Sequence, residues 1–306
     1  MPSLTPPRQV VAQDSVATLS TGGIPMGIAY DPSEGKLFIA TAYALVVTGI
    51  GMNVIDTIPA SWAMQFPCNA AYVPTVHELF VANCGGEAWA AVTVINPCTD
   101  ALVTVISLPE QPFGIAYDSH TDQVFVSDSS GTVSVIDVQT LQVVRMIQVP
   151  SGWYGVLFDP DTNEVYVSNA DNGTVSVIND RNDSVVATVR VGLFPMGMAL
   201  DPVRGLVLVA NFVNGTVSAI AEGNHSVVRT VAVGWLPSGV AVNPSTGTAY
   251  VSNGANYSLV EIDTSTFATT PCLIEGNTLG LPLFVPEVGQ LYVPCVAEGE
   301  VMMMAG

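Results

Sequence analysis

The sequence predicts an all-β chain, built from one four-stranded unit repeated seven times and closed into a ring. Three observations point there. Asn-Gly-Thr-Val-Ser stands at residues 172–176 and again at 214–218, 42 residues on, with a shortened Ser-Gly-Thr-Val-Ser at 130–134. Self-similarity at such an interval marks a tandem array of one supersecondary unit. The glycine of a Pro-x-Gly signature, or its equivalent, falls at 27, 69, 114, 155, 197, 239 and 281, in steps of 42, 45, 41, 42, 42 and 42, with Asn69 and Leu281 in place of Gly. Finally, the two ends of the chain complement each other. The last unit stops at its third strand, Val301–Met304, and the fourth strand it lacks appears at the other end as Asp14–Leu19, which is similar to Asp183–Thr188.

Each unit opens on a first strand that follows Pro-x-Gly and often ends in Asp-Pro, as in Pro25-Met26-Gly27-Ile28-Ala29-Tyr30-Asp31-Pro32. A second strand follows, such as Tyr166-Val167-Ser168-Asn169. The third is Gly-Thr-Val-Ser-Val-Ile at 131–136 and 173–178, and the fourth is β-branched, as in Val185-Val186-Ala187-Thr188-Val189. Short runs of Val, Ile, Tyr and Thr between Gly, Pro, Asn and Asp have the chemistry of strands joined by turns. Asn172-Gly173 and Asn214-Gly215 are expected to supply the positive backbone angles of a tight hairpin. No sustained period of 3.6 is present, so helix is expected to be nearly absent.

Seven four-stranded units describe a seven-bladed β-propeller of antiparallel blades, with the N-terminal strand closing the last blade. The anchor glycine fits such a ring, because first strands crowd at the axis and a missing side chain permits close approach. Closure also removes the free sheet edges that an open array would present. The expected organisation is an extension over 1–13 and a single propeller over 14–306. These motifs resemble the YVTN-type seven-bladed propeller repeats of archaeal and bacterial surface proteins, over roughly residues 14–304 and most closely in units three to six. The resemblance implies the fold and leaves the activity open, because propellers host many unrelated functions.

Of 306 residues 49% are hydrophobic, ample for cores between blades, and only 11% are charged, well under the usual ~25%. The formal net charge is −19 and Lys36 is the single lysine. Nucleic acid is excluded as a partner, since nothing here forms a basic patch to neutralise phosphates. Binding to an anionic membrane is disfavoured for the same reason. No secretory signal is visible in Met1–Val10, and no apolar run approaches the length of a membrane span. A surface rich in Ser, Thr, Asn and Gly suits an extracellular or cell-surface protein whose targeting segment is not in this chain.

The five cysteines, Cys68, Cys84, Cys98, Cys272 and Cys295, form no CxxC pair. Cys68 opens the first strand of unit two and Cys84 ends the second, opposite each other across a hairpin centred near Val76, so a disulfide is expected there. Cys272 and Cys295 flank the closing blade and are the second candidate pair, leaving Cys98 over. The alternative is a set of buried thiols that pack as small hydrophobes. Glycosylation sequons begin at Asn172, Asn182, Asn214, Asn224 and Asn256, all in expected turns. Two of them also follow from the repeat itself, since a hairpin favours Asn-Gly and the next strand favours Thr.

Enzymatic propellers gather polar groups around the axis. The residue before each anchor should lie near that rim, and the seven positions read Met26, Cys68, Phe113, Tyr154, Met196, Ser238 and Gly280. Met26, Phe113, Tyr154 and Met196 make this a candidate apolar binding rim. It holds no carboxylate or histidine for general acid–base work. A lactonase-like hydrolase, the enzymatic rival, would need charged side chains converging in the channel. His77, His120 and His225 fall in expected turns and read as surface groups rather than metal ligands. Asp31, Asp118, Asp159 and Asp201 recur at one repeat position and read as turn caps. No cofactor or metal is expected. The expectation is a non-enzymatic extracellular structural or surface-interaction propeller. It would be glycosylated, a subunit of a surface layer or filament, and partnered by further copies or other surface proteins. A monomeric ligand- or protein-binding propeller is the alternative.

Overall fold

A computed structural model describes residues 17–61, 63–85, 90–152, 155–255, 258–273 and 279–306. Seven four-stranded antiparallel sheets form the ring. Blade one comprises β1's successor strands β2 (Pro25–Asp31), β3 (Lys36–Thr41), β4 (Ala44–Gly49) and β5 (Val54–Pro59), where β1 is Ala17–Ser20. Blade two is β6 (Pro67–Val73), β7 (Glu78–Asn83), β8 (Ala91–Asn96) and β9 (Ala101–Ser107), and blade three is β10 (Pro112–Asp118), β11 (Gln123–Asp128), β12 (Thr132–Asp137) and β13 (Gln142–Gln148). Blade four runs β14 (Val156–Asp159), β15 (Glu164–Asn169), β16 (Thr174–Asn179) and β17 (Ser184–Arg190); blade five runs β18 (Pro195–Asp201), β19 (Leu206–Asn211), β20 (Thr216–Ala221) and β21 (Ser226–Ala232). Blade six is β22 (Pro237–Asn243), β23 (Thr248–Asn253), β24 (Ser258–Asp263) and β25 (Thr269–Leu273). Blade seven holds β26 (Leu283–Val285), β27 (Gln290–Cys295) and β28 (Glu300–Ala305), and takes β1 as its outer strand.

The closing pair is antiparallel, with Ala17 opposite Met303, Thr18 opposite Met302, Leu19 opposite Val301 and Ser20 opposite Glu300. Thr21 reinforces it, donating from its backbone N to the Gly299 carbonyl at 2.8 Å. The ring is thus closed within one chain.

Second and third strands are buried almost end to end, and their side chains fill the layers between blades. Phe80, Val92 and Val94 of blade two pack with Ile115, Val124 and Val126 of blade three, while Leu208, Val217 and Ala219 of blade five pack with Val240, Val251 and Val260 of blade six. Strands buried on both faces lose the alternating pattern and read as continuous apolar runs, as these do. Outer strands alternate more weakly and leave Ile55, Val103, Val144 and Val186 exposed. Arg145, Arg190 and Arg229 also stand on these edges, and charge on an edge strand discourages pairing with another sheet.

Strand alternation gives the ring two unlike faces. One face carries the entries to the first strands and the links between second and third strands. The other carries the turns between first and second strands, where buried Asp31, Asp118, Asp159, Asp201 and Asn243 cap the chain. Asp31 Oδ1 accepts from the Ser33 backbone N at 2.8 Å, Asp118 from His120 N at 2.8 Å, Asp159 from Asp161 N at 2.9 Å and Asn243 from Ser245 N at 2.9 Å. These aspartates therefore cap turns, as their place before Pro or Ser suggests.

The Asn-Gly turns differ from the expected tight hairpin. Gly173 and Gly215 have φ of 64° and 67°, but Asn172 and Asn214 stay out of the left-handed region. Ala170–Asn172 forms a single 3-10 turn, closed by Gly173 N donating to the Asn169 carbonyl at 3.1 Å. A four-residue link needs one left-handed residue, at the glycine, where a two-residue hairpin would need two.

Candidate functional site

The first strands begin around a cavity of about 350 Å³ at the axis. Each anchor brings the residue before it to this wall. Met26, Cys68, Phe113, Met196, Ser238 and Gly280 all line the cavity, while Tyr154 lies outside the described residues. The close approach of the strands is enforced by missing side chains. A Cβ on Gly27 would meet the carbonyl oxygen of Cys68 at 2.8 Å, and one on Gly155 would meet that of Met196 at 2.9 Å. Asn69, which replaces an anchor glycine, points its Oδ1 towards Gly27.

The wall is largely apolar. Ile24, Phe212, Leu279, Leu281 and Val296 complete it, with Asn69 as a polar side chain within it. Ser238 is already engaged, donating to the Leu279 carbonyl at 2.8 Å and sharing a bond of 3.0 Å with the Ser252 hydroxyl. No carboxylate or histidine is among the described lining residues. The site can therefore take an apolar group by excluding water from it, at roughly 25 cal/mol per Å² buried. Phe212, Gly254 and Val296 were not foreseen as wall residues. They share one register position, the first residue after the second strand, so the repeat carried a signal for them.

The described histidines are partnered on the opposite face. His120 Nδ1 lies 2.7 Å from Asp180, and His225 Nε2 lies 2.9 Å from Glu164 of the preceding blade. His77 Nδ1 is 3.0 Å from the Tyr72 hydroxyl. Among the described residues no group of three or more His, Cys, Asp or Glu side chains is arranged to hold a metal. Glu222 on this face is buried, and burial together with Asp159, Asp161, Asp201 and Glu164 pushes its carboxyl up to about 7.

Cys68 and Cys84 are disulfide-bonded, with Cα atoms 5.9 Å apart. Their register is not directly opposite: Pro67 faces Asn83 and Asn69 faces Ala82, so Cys68 occupies a bulge that turns it towards Cys84. The second expected bridge is absent, and Cys272 and Cys295 are separate thiols. Cys272 sits opposite Leu259 on the outer strand of blade six, and Cys295 sits opposite Glu300 in blade seven. Both belong to the apolar layer between these blades, where burial raises both thiols, Cys295 to about 12. They pack there as small hydrophobes. Cys98 is exposed, and its Sγ donates to Glu34 at 3.3 Å.

The sequons divide between the faces. Asn172 and Asn214 are exposed beside the cavity face, yet both are tied to a neighbouring loop: Asn172 donates to the Ser151 carbonyl at 3.3 Å, and Asn214 Oδ1 accepts from the Leu193 backbone N. Asn182 and Asn224 are exposed on the carboxylate face, with Oδ1 accepting from the Ser184 and Ser226 hydroxyls at 2.7 Å each. Asn256 lies outside the described residues.

No family model and no curated protein matches this chain. Among solved structures, a chain of one described as "Crystal Structure of Mitotic Checkpoint Complex" is similar to it, with a TM-score of 0.84 at 13% identity, covering 100% of this chain and 96% of that one. The protein is a seven-bladed β-propeller. At that identity the likeness speaks for the propeller ring alone, and the propeller's function rests on its own residues.

Proposed function

We propose that this propeller is a non-enzymatic interaction protein of the YVTN surface type, extracellular, glycosylated, and built into a surface layer or filament. The observation that carries this reading is the cavity at the axis. Its wall presents Met26, Phe113, Met196, Phe212 and Leu281, which suit an apolar group and supply no acid or base. The disulfide Cys68–Cys84 is compatible with an oxidising compartment. The charge of −19 favours protein or glycan neighbours over nucleic acid.

Electron microscopy of native material, together with its intact mass, tests the proposal. The expected result is ordered assemblies and masses above 31.9 kDa by glycan increments. Turnover of a lactone that is lost on Met196→Asp would overturn it in favour of a hydrolase. A second reading is favoured by the cavity volume, about 350 Å³, which falls within the range of small-molecule sites, roughly 300–1,000 Å³. In that reading the propeller is monomeric and takes a small apolar ligand.

A further inference from the structure

Two anchors break the repeat. The other five are glycine, whereas Asn69 in blade two and Leu281 in blade seven bring side chains to the axis. Each lies against glycines of neighbouring blades. A Cβ on Gly197 or Gly239 would stand 2.9 or 3.0 Å from Leu281 Cδ2, and one on Gly27 would stand 2.7 Å from Asn69 Oδ1. Leu281 therefore covers the side of blades five and six with an apolar group, and Asn69 sets a polar one beside blade one. The amides of Phe212, Gly254 and Gly280 in the cavity wall are engaged within the ring, donating to the carbonyls of Phe194, Leu236 and Pro294 at 3.0, 2.8 and 2.8 Å. The Ser238 hydroxyl is engaged as well, donating to Leu279. Asn69 differs from them. Its Oδ1 accepts from the Ala70 backbone N at 2.9 Å, which fixes the sense of the amide, and its Nδ2 bonds none of the described residues. The side chain is half-buried and lines the cavity, so a hydrogen-bond donor stands unused in an apolar wall. Its place is set by the bulge between Pro67 and Asn69, where Cys68 is held by its disulfide.

We propose that the cavity binds an uncharged, largely apolar small molecule carrying a hydrogen-bond acceptor, a carbonyl or ether oxygen, to which Asn69 Nδ2 donates. This rests on the small-ligand reading above and names the ligand's chemistry. The ligand is uncharged because no charged side chain is among the described lining residues, and desolvating a charge without a partner is costly. It carries an acceptor because a wholly apolar ligand would cover the Asn69 donor and leave it unsatisfied. One such bond is worth about two- to tenfold in affinity. In a mostly apolar pocket a single polar group also fixes orientation. The oxygen points towards Asn69, and the apolar body rests on Met196, Phe212 and Leu281.

Acetophenone and α-methylstyrene test this, since they share a shape and differ in C=O against C=CH2. Titrating each into the full chain, followed by ligand-observed NMR, gives two Kd values. Comparing their ratio between parent and variant cancels the unequal hydration of the two compounds. Asn69→Leu installs the side chain that blade seven carries at the same repeat position. It should retain α-methylstyrene and weaken acetophenone relative to it by about threefold or more. Asn69→Asp keeps the shape without the donor at neutral pH and should lower the same ratio. Met196→Asp should weaken both compounds alike. Binding of neither compound, or binding that ignores Met196→Asp, removes the small-ligand reading and the inference with it. Binding of both compounds at a ratio that Asn69→Leu and Asn69→Asp leave unchanged keeps that reading and overturns the role of Asn69.

Discussion

Gly197 and Gly239 touch across neighbouring blades: a Cβ on Gly197 would lie 2.9 Å from the Cα of Gly239 and 3.0 Å from the Ser238 carbonyl oxygen. The contact is backbone on backbone, so no side chain can rotate to make room. Overpacking of this kind costs about 1–3 kcal/mol. Gly197→Ala should lower the unfolding free energy by that amount in urea titrations. Gly223 is the control, with nothing within 4 Å of an added Cβ. Gly223→Ala should be neutral or stabilise by up to about 1 kcal/mol through the unfolded chain.

The Cys68–Cys84 disulfide closes a loop with a sequence separation of 16. Restricting the unfolded chain over such a loop stabilises by about 3 kcal/mol. The double substitution Cys68→Ser, Cys84→Ser should cost about that much, and reductant should lower the unfolding midpoint of the parent but not of the variant. Cys272→Ser and Cys295→Ser should keep the parent's redox dependence unchanged, since neither thiol is bridged and both variants retain Cys68–Cys84.

Glu222 gives the fold a pH dependence of known sign. Its carboxyl moves from 4.5 to about 7, first because it is buried and then because Asp159, Asp161, Asp201 and Glu164 surround it. The folded state therefore holds a proton that the unfolded state releases between those values. Stability from this group is present below pH 4.5 and is lost as pH rises through about 7. After discounting for solvent screening, the loss is about 1–2 kcal/mol. Glu222→Gln should remove it, so that thermal midpoints of parent and variant converge at pH 5 and separate at pH 8, with the variant higher.

In a secretory host, Asn182 and Asn224 should carry glycans at high occupancy, measured by site-specific mass spectrometry. Asn172 and Asn214 should carry less, because their side chains are engaged with the Ser151 carbonyl and the Leu193 amide. Leu193→Pro would remove the amide that Asn214 accepts from, and occupancy at Asn214 should rise.

The ring was legible where the repeat is tight. Gly27, Gly155 and Gly197 mark strands that touch at the axis, and the spacing alone placed Met26, Phe113 and Met196 on one wall. The exposure of Leu193, Trp235 and Tyr43 was not legible. They sit in links of unequal shape, where an isolated apolar residue has no period to betray its direction. The expected pairing of Cys272 with Cys295 failed for a related reason. Adjacency to one blade says nothing of the layer in which two side chains meet, and these two share a core without meeting as a bridge. The third-strand ends show what more could have been read. Val138, Asp180, Glu222 and Thr264 stand at one repeat position, and two of them bond a polar group of the preceding blade: Asp180 meets His120 at 2.7 Å, and Thr264 donates to Asp201 at 2.5 Å.

Leu19 facing Val301 also sets an order of events in the cell. Blades one to six are contiguous in sequence and can form as they leave the ribosome. Blade seven cannot, because its outer strand β1 precedes the other six blades in the chain and its inner strands follow them. For the whole of synthesis, β1 waits without a partner and the blade-one flank lies bare. The ring snaps shut only when Glu300–Ala305 emerges, so a prematurely terminated chain keeps an open seam. A chain that stops short of Glu300 therefore exposes a sheet edge that the closed ring hides.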